Sequence, residues 1–169
     1  MIIKTFFACI ILSFLFLTCS KEESGVNSIV EDKITFNGIS ERDPTGVPVR
    51  EADPDDWNFK DTWAAQELAL FGKGYGSDCM LPEAYNIMAY PNPIIDKVVI
   101  DAGKPESVRL AIRVVDRNFK VLLALDSIYS KSTMLDFSKF GIQDTVRVYY
   151  KYIDNSCEYR GHGDILIKK

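Results

Sequence analysis

The chain has 169 residues, a formal net charge of −4 and a single histidine. That length suits one domain of the usual roughly 100 to 150 residues plus an extension, and in a mildly acidic chain no basic face large enough to hold a phosphate backbone is expected, which argues against nucleic acid as a partner. With one histidine and no serine in a Gly-x-Ser-x-Gly setting there is no catalytic triad to propose, and the expectation is a protein that is not an enzyme.

Lys4 precedes a run at residues 6–17 that is apolar except for Ser13. The run is shorter than the roughly 20 residues of a membrane-spanning helix and has the form of a secretory signal. Phe16-Leu17-Thr18-Cys19 follows, and then Ser20-Lys21-Glu22-Glu23. The first tetrapeptide resembles the lipobox that bacterial lipoprotein signal peptidase cuts before the cysteine to be lipidated. The second is similar to the lysine-plus-two-acids signal, here Lys21, Glu22 and Glu23, that sends lipoproteins of Bacteroidetes to the cell surface. Together they imply an outer-membrane lipoprotein exposed on the surface and held in the membrane by lipid on Cys19. A diacylglycerol plus an N-acyl chain supplies the two hydrophobic signals that stable anchoring needs.

Removing residues 1–18 takes away Lys4 and no acid, so the mature charge is −5. It also removes Cys9. With Cys19 lipidated, Cys79 and Cys157 remain as an even pair in a compartment that permits disulfides. A bridge between them and two buried free thiols are the two readings.

Residues 19–32 are polar and lack an apolar face, which predicts a flexible tether. Lys33-Ile34-Thr35-Phe36-Asn37-Gly38 alternates and then stops at Asn-Gly, the pattern of a short strand entering a turn. Residues 40–56 are rich in proline and acids and read as an irregular connection. Within them Asp53-Pro54-Asp55-Asp56 lacks the spacing of a calcium loop, so it is expected to be a solvated acidic loop. Residues 61–72 predict the one helix, capped by Asp61 or Thr62 and stopped by Gly72, with Trp63, Leu70 and Phe71 as a stripe that covers a sheet. The glycine-rich stretch at residues 73–78 has neither the strand nor the Lys-Ser/Thr of a phosphate loop and reads as a plain loop.

From Tyr85 the apolar period is two. Val98 and Ile100 share one face; Val108, Leu110, Ile112 and Val114 form a second row opposed by Arg109 and Arg113. A turn at Asp116-Arg117-Asn118 places Asn118 in the left-handed region. Leu122, Leu123, Ala124 and Leu125 are apolar on both faces, which predicts a central or covered strand. Val146, Val148, Tyr150 and Tyr152 oppose Arg147, Tyr149 and Lys151, and the last strand carries Tyr159, Ile165 and Ile167 around Gly161-His162-Gly163. The fold class is therefore all-β, an Ig-like antiparallel β-sandwich of about seven strands with one short helix. Its divisions are a signal peptide at 1–18, a lipidated tether at 19–32, a strand, acidic loop and helix packing on the sandwich at 33–84, and the sandwich itself at 85–169.

Tyr90-Pro91-Asn92-Pro93, the hairpin at residues 108–125, Leu135-Asp136-Phe137-Ser138 and Ile167-Lys168-Lys169 resemble the C-terminal sorting domain of Bacteroidetes type IX secretion cargo, an Ig-like sandwich. The whole chain looks most like small surface lipoproteins of gut Bacteroides that carry such a domain almost alone. At Gly141 the chain departs from the family's pattern, with Gly141-Ile142-Gln143 where Gly-x-Tyr is expected.

His162 and Asp164 share a strand face, so a His/Asp pair is geometrically open. The favoured reading makes Gly161 and Gly163 a bulge or a close backbone approach, with no metal ligand and no cofactor assigned. Tyr149, Tyr150, Tyr152 and Tyr159 would suit a sugar ring where exposed. The expected function is a non-catalytic surface lipoprotein that binds a protein or glycan partner; the alternative is a sorting or assembly module of a secretion or surface complex.

Overall fold

The apolar alternation from Asn86 onward builds two sheets facing each other across one core. This computed structural model describes residues 33–60, 62–72 and 79–168. The signal, Cys19, the Lys21-Glu22-Glu23 run, the tether, Asp61 and the loop at 73–78 lie outside those residues. The described strands are β1 (Asn58–Phe59), β2 (Asn86–Tyr90), β3 (Lys97–Gly103), β4 (Arg109–Val115), β5 (Val121–Ile128), β6 (Ser132–Asp136), β7 (Thr145–Asp154) and β8 (Cys157–Leu166). They pair antiparallel as a five-stranded sheet in the order β1-β8-β7-β4-β5 and a three-stranded sheet in the order β2-β3-β6. The chain is an all-β sandwich.

Each sheet turns one apolar row inward, as period-two side chains must. Ile87, Ala89, Val98, Ile100 and Leu135 from the smaller sheet meet Leu110, Ile112, Val114, Val146, Val148, Tyr150 and Ile165 from the larger. An aromatic group closes one end of this core. Tyr85 sits edge-on to Tyr152 and Tyr159, and the hydroxyls reach its rim: Tyr85 donates to Asp154 Oδ2 at 2.9 Å and Tyr152 to the Asn86 carbonyl at 2.7 Å. There Cys79 and Cys157 are joined in a disulfide with Cα atoms 5.6 Å apart, so the segment before β2 is tied to the first residue of β8.

Several local expectations are corrected. Residues 33–38 form no strand; Ile34 makes a single backbone bond to the Arg117 carbonyl at 2.9 Å and buries its side chain beside Val115 and Tyr149. The helix, α1, is only Ala65–Ala69, with Ala64 at its cap position and the Glu67 carboxylate accepting from Ala64 N–H at 2.7 Å. Trp63, Leu70 and Phe71 do pack on the sheet, but all three do so from outside the helix, since three large apolar side chains anchor the segment better than one helical turn can. The left-handed residue of the β4–β5 turn is Phe119, at φ 59°, not Asn118. That conformation brings the Phe119 ring over Tyr149. β5 is an edge strand whose Leu122, Leu123 and Leu125 are half-buried, because its apolar residues are shared between both faces and neither is fully covered.

Candidate functional site

β8 carries two buried polar residues, His162 and Asp164. Its register against β7 runs unbroken from Thr145↔Leu166 to Asp154↔Cys157, so Gly161-His162-Gly163 is not a bulge. The two glycines are instead sites of close approach. A Cβ on Gly161 would lie 2.2 Å from the Asn58 carbonyl oxygen, and one on Gly163 would lie 2.2 Å from the Trp57 indole. Trp57, at φ 59°, drives its ring into that space and stacks parallel to Tyr150 at 6.1 Å. A bulky side chain rarely adopts that backbone conformation. Here it lets two consecutive residues, Asp56 and Trp57, both enter the interior.

Asp56 is therefore not part of a solvated acidic loop. It is 7% exposed, and it joins His162 (5%) and Asp164 (3%) in a cluster whose carboxylate oxygens and imidazole nitrogen lie within 4.8 Å of one another. The Asp56 carboxylate accepts from Ser40 N–H at 2.7 Å and from Asp164 N–H at 2.8 Å. The Asp164 carboxylate takes both arms of Arg147, Nε and Nη2 each at 2.7 Å, the two-pronged geometry that makes such pairs strong. Burial and then the Asp164 charge push Asp56 up to about 7, against the two backbone donors. Burial also raises Asp164, offset by Arg147. Burial, and then the charges of Arg147 and Lys60, lower His162 to about 3, so its ring is neutral.

The residues around this strand segment hold buried polar atoms without a hydrogen-bond partner: Trp57 Nε1, Tyr149 Oη, Tyr150 Oη and His162 Nδ1. Such groups are rare in folded proteins and each asks for an explanation. Nearby, Asn92 is fully buried and binds three segments together. Its Nδ2 donates to the carbonyls of Ser40 (3.1 Å) and Asp164 (2.9 Å), and its Oδ1 accepts from Leu166 N–H at 3.1 Å. The Asn of Tyr90-Pro91-Asn92-Pro93 is thus an internal fastener between the β2–β3 connection, the N-terminal residues and β8.

The tyrosines expected as a sugar platform are not available. Tyr149, Tyr150 and Tyr152 are fully buried and Tyr159 nearly so. Tyr149 and Lys151 face outward from β7 yet are covered, because Ile34, Phe36, Trp63, Leu70 and Phe71 lie on that side of the larger sheet. The sequence reading brought His162 and Asp164 together correctly but missed Asp56. Its only signal was an acid placed directly before a tryptophan, in a run whose other acids are exposed or half-buried.

A different surface is left open on the smaller sheet. Tyr90, Val99 and Met134 stand in register across β2, β3 and β6 on the side away from the core, with Met134 63% exposed. Beside them the turn at Gly46, which rests against the Tyr90 ring, presents Val47 and Val49 to solvent. Comparison with protein-family models, with curated proteins and with solved structures finds no match to this chain.

Proposed function

We propose that this chain is a non-catalytic lipoprotein, anchored through Cys19 on the outer membrane and exposed on the cell surface, whose sandwich binds a protein partner through the outer face of the three-stranded sheet. The observation that carries the reading is the row Tyr90, Val99 and Met134, flanked by Val47 and Val49. Val47, Val49 and Met134 are exposed and Tyr90 and Val99 half-buried, and grouped exposed apolar side chains mark interaction surfaces. The burial of the tyrosines turns the choice from a glycan towards a protein, since no aromatic platform faces solvent among them. The alternative, a sorting or assembly module, rests on Tyr90-Pro91-Asn92-Pro93; the internal bonds of Asn92 account for that tetrapeptide as a fold element without a secretion role.

The test is cross-linking and capture from intact cells with the full chain and with Met134→Lys. One protein should be recovered with the wild type and lost with the variant, while the variant stays on the surface. Equal recovery by both would remove the binding face from the proposal. Release of the chain from membranes by Cys19→Ala tests the anchor separately, and retention in the membrane would overturn it.

A further inference from the structure

We infer that Asp56, His162 and Asp164 form a binding site for a divalent transition-metal ion of the zinc class. The three side chains come from two separate parts of the chain, the segment before β1 and strand β8, and converge so that one ligating atom from each lies within 4.8 Å of the other two. All three are buried. An imidazole with two carboxylates is a donor set that Zn²⁺ accepts. Calcium, which wants six to eight oxygens, is poorly served by it.

Two independent observations go beyond the clustering. The first is the unused nitrogen: His162 is 95% buried by its 5% exposure and its Nδ1 has no hydrogen-bond partner. In a neutral imidazole one nitrogen carries a lone pair and the other a proton. Either tautomer therefore leaves this ring short of a partner that a cation or its bound water would provide. The second is charge. Asp56 and Asp164 bring two carboxylates into the interior, and the one guanidinium bonded to them is Arg147, on Asp164. Buried charge has to be balanced, and here one negative charge is left for a proton or a cation to neutralise. Occupied hydrogen bonds do not block the site, because a carboxylate has about four lone-pair positions and the carboxylates of Asp56 and Asp164 accept two hydrogen bonds each. A depression lined by Lys33, Thr35, Glu67, Arg147 and Tyr149 opens beside the cluster, since Arg147 bonds Asp164 and the Tyr149 ring meets His162 edge-on at 5.7 Å.

Because His162 is the chain's single histidine, its ring can be watched without ambiguity. The untagged full chain in detergent, stripped with a chelator, is titrated with Zn²⁺ while the imidazole ¹⁵N signals are recorded. One equivalent should move a ring nitrogen signal to the metal-bound position, raise the melting temperature and remain after gel filtration. Mg²⁺ and Ca²⁺ should do none of these. His162→Gln should retain no stoichiometric zinc. Imidazole signals unchanged at saturating Zn²⁺ would overturn the site, whether or not the variant folds. Equal zinc retention by a folded His162→Gln would do the same.

Discussion

The two sheets meet the solvent in opposite ways. The five-stranded sheet has its outer face covered by Ile34, Phe36, Trp63, Leu70 and Phe71, while the three-stranded sheet leaves Met134 63% exposed on its outer face. On the covered side the contacts pair cations with aromatic rings: Arg113 and Lys151 lie over Phe71, Arg147 and Arg117 over Phe36, and Arg160 over Trp63. Arg113 Nε also donates to the Leu70 carbonyl at 3.0 Å. A polar sheet face can thus be buried when its charges keep partners, whereas in the apolar row Tyr90, Val99 and Met134 the first meets the Gly46 turn and the last stays 63% exposed. The difference teaches that exposure here follows from what the N-terminal half covers, not from the polarity of the strand residues.

The largest effect should come from cutting the tie between the covering half and β8. The loop closed by Cys79 and Cys157 spans 78 residues, for which chain-entropy reasoning gives up to about 4.5 kcal/mol. The double variant Cys79→Ala, Cys157→Ala should lose a large part of that in urea unfolding, and an unchanged midpoint would show that the cover holds without the bridge. Next comes Arg147→Ala, which leaves Asp164 buried beside Asp56 with no cation. Removing one partner of such a pair costs about 3 kcal/mol or more, and a loss below about 1 kcal/mol would mean that the covered face is wetter than its burial indicates. Trp63→Ala should cost about 1–2 kcal/mol, less than for a fully buried aromatic, because the ring is half-buried. It should also open the covered face, read as faster amide exchange at Tyr149.

The cluster on β8 adds a pH dependence with two opposing parts. His162 has a folded value near 3 against 6.5 when unfolded, so its contribution is complete above pH 6.5 and is lost as pH falls towards 3. Asp56 has a folded value near 7 against 3.8. Its contribution is complete below pH 3.8 and is lost as pH rises through 7. In chelator, the stability of His162→Gln relative to wild type should therefore rise as pH drops from 6.5 to 4, and that of Asp56→Asn should rise as pH climbs from 4 to 8. Parallel wild-type and variant curves in urea would refute both assignments.

The sandwich was legible because alternation states which residues share a face. Val98 with Ile100, Leu110 with Ile112 and Val114, and Val148 with Tyr150 all turn inward. Alternation does not state what lies on the other face. Tyr149 and Lys151 stand on the row opposite Val148 and Tyr150 and are buried too, since the cover comes from residues about 80 to 115 positions earlier. Strand order is equally silent in a local pattern, which is why β5, expected as a central or a covered strand, stands at an edge. Asp56 was missed for the same reason: its partners, Ser40 and Asp164, are 16 and 108 residues away.

The smallest effect on stability belongs to the open face, and it is the one that separates binding from folding. Val99 and Met134 stand opposite each other on β3 and β6, and Val99 is paired on its other side with Tyr90. Met134→Lys adds a charge at a position already 63% exposed, so it removes little buried area and needs no desolvation of the ammonium. Surface changes of this kind stay within about 0.5 kcal/mol. The neighbouring charges are of both signs, Lys97 with Asp136 across the same two strands at 3.8 Å and Asp101 opposite Ser132, so a new lysine meets no single-sign field. The variant should therefore melt with the wild type while losing its partner. A destabilisation above about 1 kcal/mol would mean that Met134 is covered within the chain, and the open face would then be no more available than the covered one.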